Sequence, residues 1–140
     1  MKLPDVNVLV GAFRTDSSHH ERCRTWLKST VNAPASFGLA TQVLSGVIRV
    51  TTHPKVFVNP SPIDESIRFA NFLLGRPNAI VVSPGERHWS IFTDLCRSVG
   101  IQGNLVPDAW FAALAIESGC EWVTLDGDFA RFKGLNWSAP

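Results

Sequence analysis

Cysteine is scarce in this chain, and the three present, Cys23, Cys96 and Cys120, lie far apart. An odd number of widely spaced thiols builds neither a disulfide framework nor a zinc signature. Each is expected to serve as a small core residue in a reducing compartment. Long apolar runs are also missing, and nothing approaches the ~18 consecutive residues that a membrane-crossing helix needs. The N-terminus has no basic region followed by a long apolar stretch, so a cytoplasmic protein with no membrane association is expected. Charge of one sign is not in excess either, with a formal net charge of +1. Strong nucleic-acid binders usually show a basic excess or a basic patch, so the total charge names no partner. Repeats, low-complexity tracts and linkers are absent.

What is present suits an ordinary globular protein. The 140 residues are 45% hydrophobic and 18% charged, enough for one compact domain over residues 1–140 that buries a core without staples. Local charge is less even than the total. Arg14, Arg22, Arg24 and Lys28 fall in the first quarter, followed by Arg49, His53 and Lys55. Such side chains commonly make a solvated helix face; lining a groove beside carboxylates, they would hold a phosphate backbone. The adjacent His19 and His20 face about 100° apart on a helix, which suits solvent better than a shared metal. Of the five tryptophans, Trp26, Trp89 and Trp110 sit in helical patterns as core or interface residues. Trp137 has no evident core position, and stacking on RNA bases is the other use for such rings.

Short strands alternate with longer helices along the chain, an α/β signature. Lys2 to Asp5 reads as a strand, and Val6 to Arg14 as a helix whose inner face carries Val6, Leu9, Val10 and Phe13. Asp16-Ser17-Ser18 offers caps for a second helix with Cys23, Trp26 and Leu27 inward. Ala33 to Leu39 reads as a strand, and Ala40 to Thr51 as a helix turning Val43, Val47 and Val50 inward. Thr52 to Pro62 is a surface loop before a helix from Ile63 to about Leu74, stopped by Gly75 and Pro77. Ala79 to Val82 is a strand. Ser83 to Glu86 has the spacing of a capping box for a helix ending by Gly100. Pro107 opens a helix to Glu117 or Ser118, closed by Gly119. Cys120 to Leu125 is a strand, and Phe129 to Phe132 a short helical turn.

On this map Asp5 and Asp126 both fall at the carboxyl ends of parallel strands, where open α/β sheets build their sites. Asp108 falls in the first turn of a helix, a favourable place for a negative charge. Three carboxylates converging within ~4–6 Å repel unless a cation neutralises them. Oxygen-only ligands select hard ions, so Mg²⁺ or Mn²⁺ is expected, serving in-line displacement at a phosphodiester. Each acid also has a plain structural use. Asp5 and Asp108 suit helix N-caps, Asp126-Gly127 suits a turn, and Asp128 suits a cap for the helix that follows.

Together these residues resemble a known family. Asp5-Val6-Asn7, the block Gly46-Val47-Ile48-Arg49-Val50-Thr51-Thr52-His53-Pro54, the block Gly103-Asn104-Leu105-Val106-Pro107-Asp108-Ala109 and the set Thr124, Asp126, Asp128, Phe129 are similar to the PIN-domain ribonucleases. Within these they resemble the VapC-type toxins of bacterial toxin–antitoxin pairs, especially the branch abundant in mycobacteria. The resemblance implies a single PIN-like α/β/α sandwich around a central, mainly parallel sheet. It implies a toxin of a type II module acting as a Mg²⁺-dependent endoribonuclease on structured RNA such as tRNA or ribosomal RNA. It also implies a cognate VapB-type antitoxin that blocks the site, and a homodimer.

By the same resemblance Asp5, Asp108 and Asp126 are the metal ligands and Asp128 completes a catalytic quartet. Thr124 and Asn104 would orient these carboxylates, and Arg49 would contact a phosphate or pair with a carboxylate near the pocket. One family feature is altered. Gly46 stands where a glutamate is usual in the stretch Val43 to Ile48. Gln42, Ser45 and Arg49 share that helix face, so Ser45 or Gln42 is the candidate to hold a metal-bound water, with plain helix packing the other reading of Ser45. The loss implies weaker metal affinity or a single-ion site. The rival reading is therefore a catalytically weak PIN-like module that binds RNA or antitoxin. A phosphotransfer or receiver domain also begins with a strand-end Asp, but Asp5-Val6-Asn7 lacks the adjacent acidic partner, and no lysine follows a later strand convincingly.

Overall fold

The computed structural model describes residues 1–140. Its sheet has five strands, all parallel: β1 (Lys2–Pro4), β2 (Phe37–Leu39), β3 (Ala79–Val81), β4 (Glu121–Val123) and β5 (Trp137–Ser138), in the order β3-β2-β1-β4-β5. Six helices connect them: α1 (Val6–Phe13), α2 (His20–Asn32), α3 (Thr41–Thr51), α4 (Ile63–Leu74), α5 (His88–Val99) and α6 (Val106–Ser118). The chain steps from β1 to β2 to β3 in one direction and then returns to β4 on the other side of β1. Right-handed crossovers place helices on opposite faces when the direction reverses. α1 to α4 thus cover one face and α5 with α6 the other, and α1 packs on α2 and α3, α3 on α4, and α5 on α6. The expected α/β/α layering is what the chain forms.

Helix bodies follow their apolar periodicity. α3 buries Val43, Leu44 and Val47, while Val50 is only half-buried at its edge. α6 is lined with Ala109, Ala112, Ala113 and Ala115, all within the core, and such small side chains let a helix lie close to a sheet. Gly100 and Gly119 end α5 and α6 with φ of 64° and 66°, a left-handed geometry that glycine adopts without a Cβ penalty. Trp122 on β4 is fully buried, stacked on Phe111 at 5.4 Å and tilted against Phe129 at 5.5 Å. Cys23 and Cys120 are buried, Cys96 is half-buried, and all three are free thiols. No helix is long and apolar enough to cross a membrane.

Strand ends and caps depart from expectation, for reasons that lie elsewhere in the fold. β2 is confined to Phe37–Leu39 because Pro34 has no N–H, and the carbonyls of Ala33 and Ala35 accept from the Asn78 side chain at 2.9 and 3.0 Å. α2 has His19 at its N-cap with no side-chain cap bond. Asp16 is instead held by a two-bond fork from Arg14, at 2.9 and 2.7 Å, a charge-assisted pairing stronger than a neutral cap bond. Ser83 and Glu86 form no capping box. α5 begins at His88, and the N–H groups of Gly85 and Arg87 donate to Glu117 of α6 at 2.8 and 3.0 Å. Trp137 belongs to β5, and Trp89 is 66% exposed rather than core. Gly127–Arg131 forms the 3-10 turn expected over Phe129–Phe132, and a second such turn spans Gly103–Leu105.

Removing the Trp122 ring strips β4 and α6 of their shared anchor. Trp122→Ala is expected to cost about 3–5 kcal/mol. A urea unfolding midpoint unchanged from the parent would contradict that packing role.

Candidate active site

β1 ends at Pro4 and α1 begins at Val6, so Asp5 is the single hinge residue between them. Its N–H donates to Val123 O of β4 at 2.8 Å, which aligns the ends of the two strands. Connections leave β1 toward β2 and β4 toward β5, in opposite directions. The crevice between β1 and β4 is therefore the switch point of the sheet, where a ligand site is expected.

A hydrogen-bond network shapes this crevice. Asp5 Oδ1 accepts the Val6 N–H at 2.6 Å, and Oδ2 accepts the Thr124 hydroxyl at 2.6 Å and Asn7 Nδ2 at 3.1 Å. Thr124 Oγ1 in turn accepts from Asn7 Nδ2 at 3.2 Å and from the Asp126 N–H at 3.0 Å. Asn7 Oδ1 accepts the Leu125 N–H at 3.0 Å. Asp126 Oδ1 accepts the Asp128 N–H at 2.9 Å and so caps the 3-10 turn. A carboxylate offers about four acceptor positions, so Asp5 keeps capacity toward the crevice after its three bonds.

Asp5, Asp108 and Asp126 line one cavity of about 480 Å³, together with Asn7, Arg49 and apolar walls that include Val6, Val50, Phe57 and Phe111. Asp5 is only 7% exposed. Burial pushes its carboxyl up from 3.8 to about 6, against the lowering effect of the Thr124 and Val6 hydrogen bonds, and the charges of Asp108 and Asp126 add to the rise. Asp108, in the first turn of α6, is raised too, by burial first and then by Asp126, with Arg131 opposing. None of the three forms an ion pair, and no three acidic, histidine or cysteine side chains stand in ligating geometry. Asp5 is buried, Asp108 and Asp126 are half-buried, and all three offer only oxygen donors, the kind a hard divalent cation takes.

The remaining expected site residues divide. Thr124 does bond Asp5, and Arg49 does line the cavity. Asp128 is exposed and outside the cavity wall, with its carboxylate 3.5 Å from Arg131 Nη2. Asn104 is exposed on the 3-10 turn, outside the cavity, and makes no carboxylate contact. Ser45 is exposed on α3 and also outside the wall. At Gly46 a Cβ would meet Val6 Cγ2 at 2.9 Å, so α3 lies against α1 where a side chain would force Val6 aside. Asn7, given no role beyond its place in the Asp5-Val6-Asn7 motif, is the link between α1 and the segment after β4; its place two residues past a strand-end Asp was the available signal. Of the basic side chains that could line a groove beside the carboxylates, Arg49 reaches the cavity, and those of the first quarter are placed elsewhere. Arg14 is taken up by Asp16 and by the Phe57 ring, 4.1 Å away, and Arg22 donates to Pro140 O at 2.7 Å. Arg24 and Lys28 border separate depressions along α2.

The PIN domain profile matches residues 2–135. VapC ribonuclease Mb2897 of Mycobacterium bovis is 40% identical over 136 residues, which are 97% of this chain and 92% of the relative. Ribonuclease VapC25 of Mycobacterium tuberculosis is 36% identical over 140 residues, 100% and 99% of the two chains. Among solved structures, VapBC2 from Rickettsia felis bound to a promoter DNA fragment is similar with a TM-score of 0.69 at 18% identity, covering 99% of this chain and 97% of that one. Mycobacterium tuberculosis VapC20, described as a sarcin-ricin loop cleaving toxin, is similar with a TM-score of 0.68 at 15% identity, covering 93% of each. At these identities the two structures speak for the fold alone.

The raised carboxyl of Asp5 links stability to pH. Its folded value lies above its unfolded one, so the stability it contributes is complete below about pH 4 and is lost as pH rises through about 6. At 1.36 kcal/mol per unit the effect is on the order of 3 kcal/mol. Thermal unfolding in chelator should show stability falling over this range, and Asp5→Asn should flatten that segment. An equally steep fall in Asp5→Asn would assign the slope to other groups.

Proposed function

The chain belongs to the PIN-domain family, within its VapC ribonucleases, and from that premise we propose that it is the toxin of a type II toxin–antitoxin module. In this reading it is an endoribonuclease that cleaves structured RNA, tRNA or ribosomal RNA, with Mg²⁺ or Mn²⁺. The observation that carries the proposal is the shared cavity of Asp5, Asp108 and Asp126 at the β1/β4 switch point. Relatives named as VapC ribonucleases align over nearly the whole chain, and similar solved structures include VapBC complexes. A VapB-type antitoxin covering the cavity, a homodimer and action on RNA in the cytoplasm complete the reading.

Asp5, Asp108 and Asp126 would hold the divalent ion. When bound, the ion neutralises their repulsion, stabilises charge developing on the phosphodiester and makes water a better nucleophile. The chain's own residues set up the rest. Thr124 and Asn7 fix the rotation of Asp5 from two sides, so its free lone pairs keep one direction. Arg49 brings a guanidinium to the cavity, suited to a non-bridging phosphate oxygen. Val6, Val50, Phe57 and Phe111 give the cavity apolar walls that exclude water and strengthen each charge interaction inside. Asp128 acts from outside by its N–H to Asp126 and its hold on Arg131.

The specific observation favouring the weaker-catalyst reading is Gly46, which leaves α3 without an acid at the site. A cleavage assay separates the two: RNA left intact with Mg²⁺ or Mn²⁺ while binding persists would favour the binding module. On the ribonuclease reading, Asp5→Ala and Asp108→Ala each lower the cleavage rate by at least about 100-fold, as does chelation, with the fold kept by circular dichroism. Full activity in either variant would remove that residue from the site. Asn7→Ala and Thr124→Val touch no substrate and act through Asp5. They should weaken Mn²⁺ binding, read by calorimetry, by about 10–100-fold. Unchanged Mn²⁺ affinity would limit both to a structural role.

A further inference from the structure

Between α2 and α4, away from the acidic cavity, lies a groove of about 250 Å³. Its floor is Leu27 and Val31, both nearly buried, and its rims are Arg24 and Lys28 on α2 and the Phe72 ring on α4. Phe72 is 53% exposed. Arg68 and Arg76 flank it at i−4 and i+4, and the Arg76 guanidinium sits 5.6 Å from the ring centroid. Arg76 Nη2 also donates to Val31 O at 3.2 Å and to Asn32 Oδ1 at 3.3 Å, which fixes that cation at the end of the groove. None of the four cations forms an ion pair, and no carboxylate lines the groove. The depression on the other side of Arg24 and Lys28 is lined only by Thr25, Ser29 and Asn32 beside them, again without an acid.

We propose that this groove is an RNA-binding exosite that stacks an unpaired base on Phe72 and holds the adjoining phosphates with Arg24, Lys28, Arg68 and Arg76. Cations left without carboxylates around an exposed ring are the chemistry by which single strands are held independently of sequence: phosphates meet the charges and any base offers a π-face. Ser17 and His19, just before α2, line the catalytic cavity, and Lys28 lies nine residues on, about 14 Å along the helix axis and about half a turn round it, so an RNA that reaches both sites would wrap around α2. The exosite rests on the ribonuclease reading only for which RNA segment reaches the cavity, and binding can be measured without cleavage.

The test uses the full chain, in parent form and as Arg24→Glu/Lys28→Glu, with Phe72→Ala as a separate variant. All three positions are exposed and outside the cavity. Fluorescence anisotropy with a labelled RNA hairpin bearing a single-stranded tail should show about tenfold weaker binding for the charge reversal. Its salt dependence should be shallower by about one to two, since each lost phosphate contact is worth about 0.7 in slope for single strands. Phe72→Ala should lose affinity for the tailed hairpin and not for a blunt duplex. Cleavage of an untailed hairpin, which has no single strand to lay in the groove, should be unchanged in both variants. Equal affinity of parent and variants for the tailed hairpin overturns the exosite, whether or not the parent cleaves. A parent that leaves structured RNA intact with Mg²⁺ or Mn²⁺, with the affinity difference intact, defeats the ribonuclease reading and leaves the exosite standing. If the charge reversal keeps its RNA affinity but loses binding of an oligoglutamate peptide, the groove takes an acidic protein segment and the RNA assignment falls.

Discussion

One hydrogen bond organises the molecule: the Thr124 hydroxyl to Asp5 Oδ2, 2.6 Å long, between residues 119 apart in the chain. A carboxylate this deeply buried is costly unless its oxygens are satisfied. The bond satisfies one of them and at the same time joins the end of β1 to the end of β4. The Asp5 N–H to Val123 O adds a backbone link at the same place. The strand ends that border the central crevice are thus tied together by a buried residue that needs partners. Asn7 closes the arrangement by bonding both members of the pair and the Leu125 N–H. Groups ordered in advance need no reorganisation when charge develops beside them, which is how a preorganised polar site gains its effect.

The neighbouring helix makes a different compromise. Gly46 lets α3 lie against Val6 with no side chain between, and Val6 is itself part of the cavity wall. The close approach has packing value, yet it leaves the cavity with three carboxylates rather than four. One turn later on the same helix, Arg49 brings positive charge to the wall. A cavity with fewer acids and one resident cation repels a phosphodiester less, and it attracts a divalent ion less strongly.

α2 connects this chemistry to the rest of the surface. The turn that leads into it reaches the acidic cavity, and its second half carries Arg24 and Lys28 to a groove that Phe72 completes from α4. A near-neutral chain can present a locally basic surface in this way, because no acid lines the groove, although Glu21 stands in the first turn of α2 and Asp64 and Glu65 in that of α4. Total charge hides such a division.

Helix bodies were legible from residue order alone. Local periodicity determines which face of α3, α4 or α6 is apolar, and proline or glycine at a boundary acts within a turn of its own position. The strand-end positions of Asp5 and Asp126 and the helix-start position of Asp108 were legible too, because they follow from the same local pattern. Partner choice was not legible. Asp16 prefers Arg14, and the N–H groups before α5 prefer Glu117. Asn7 bonds Thr124, and Asp128 turns to Arg131. β5 exists only because Trp137 meets Trp122 of β4. Residue order by itself determined the helix bodies and where along them the carboxylates stand, since both depend on neighbours a few residues away. The tertiary structure alone decided which polar groups pair, which acids share the cavity and where the free cations gather, because hydrogen bonds and charges act over a few ångströms of space and take no account of distance along the chain.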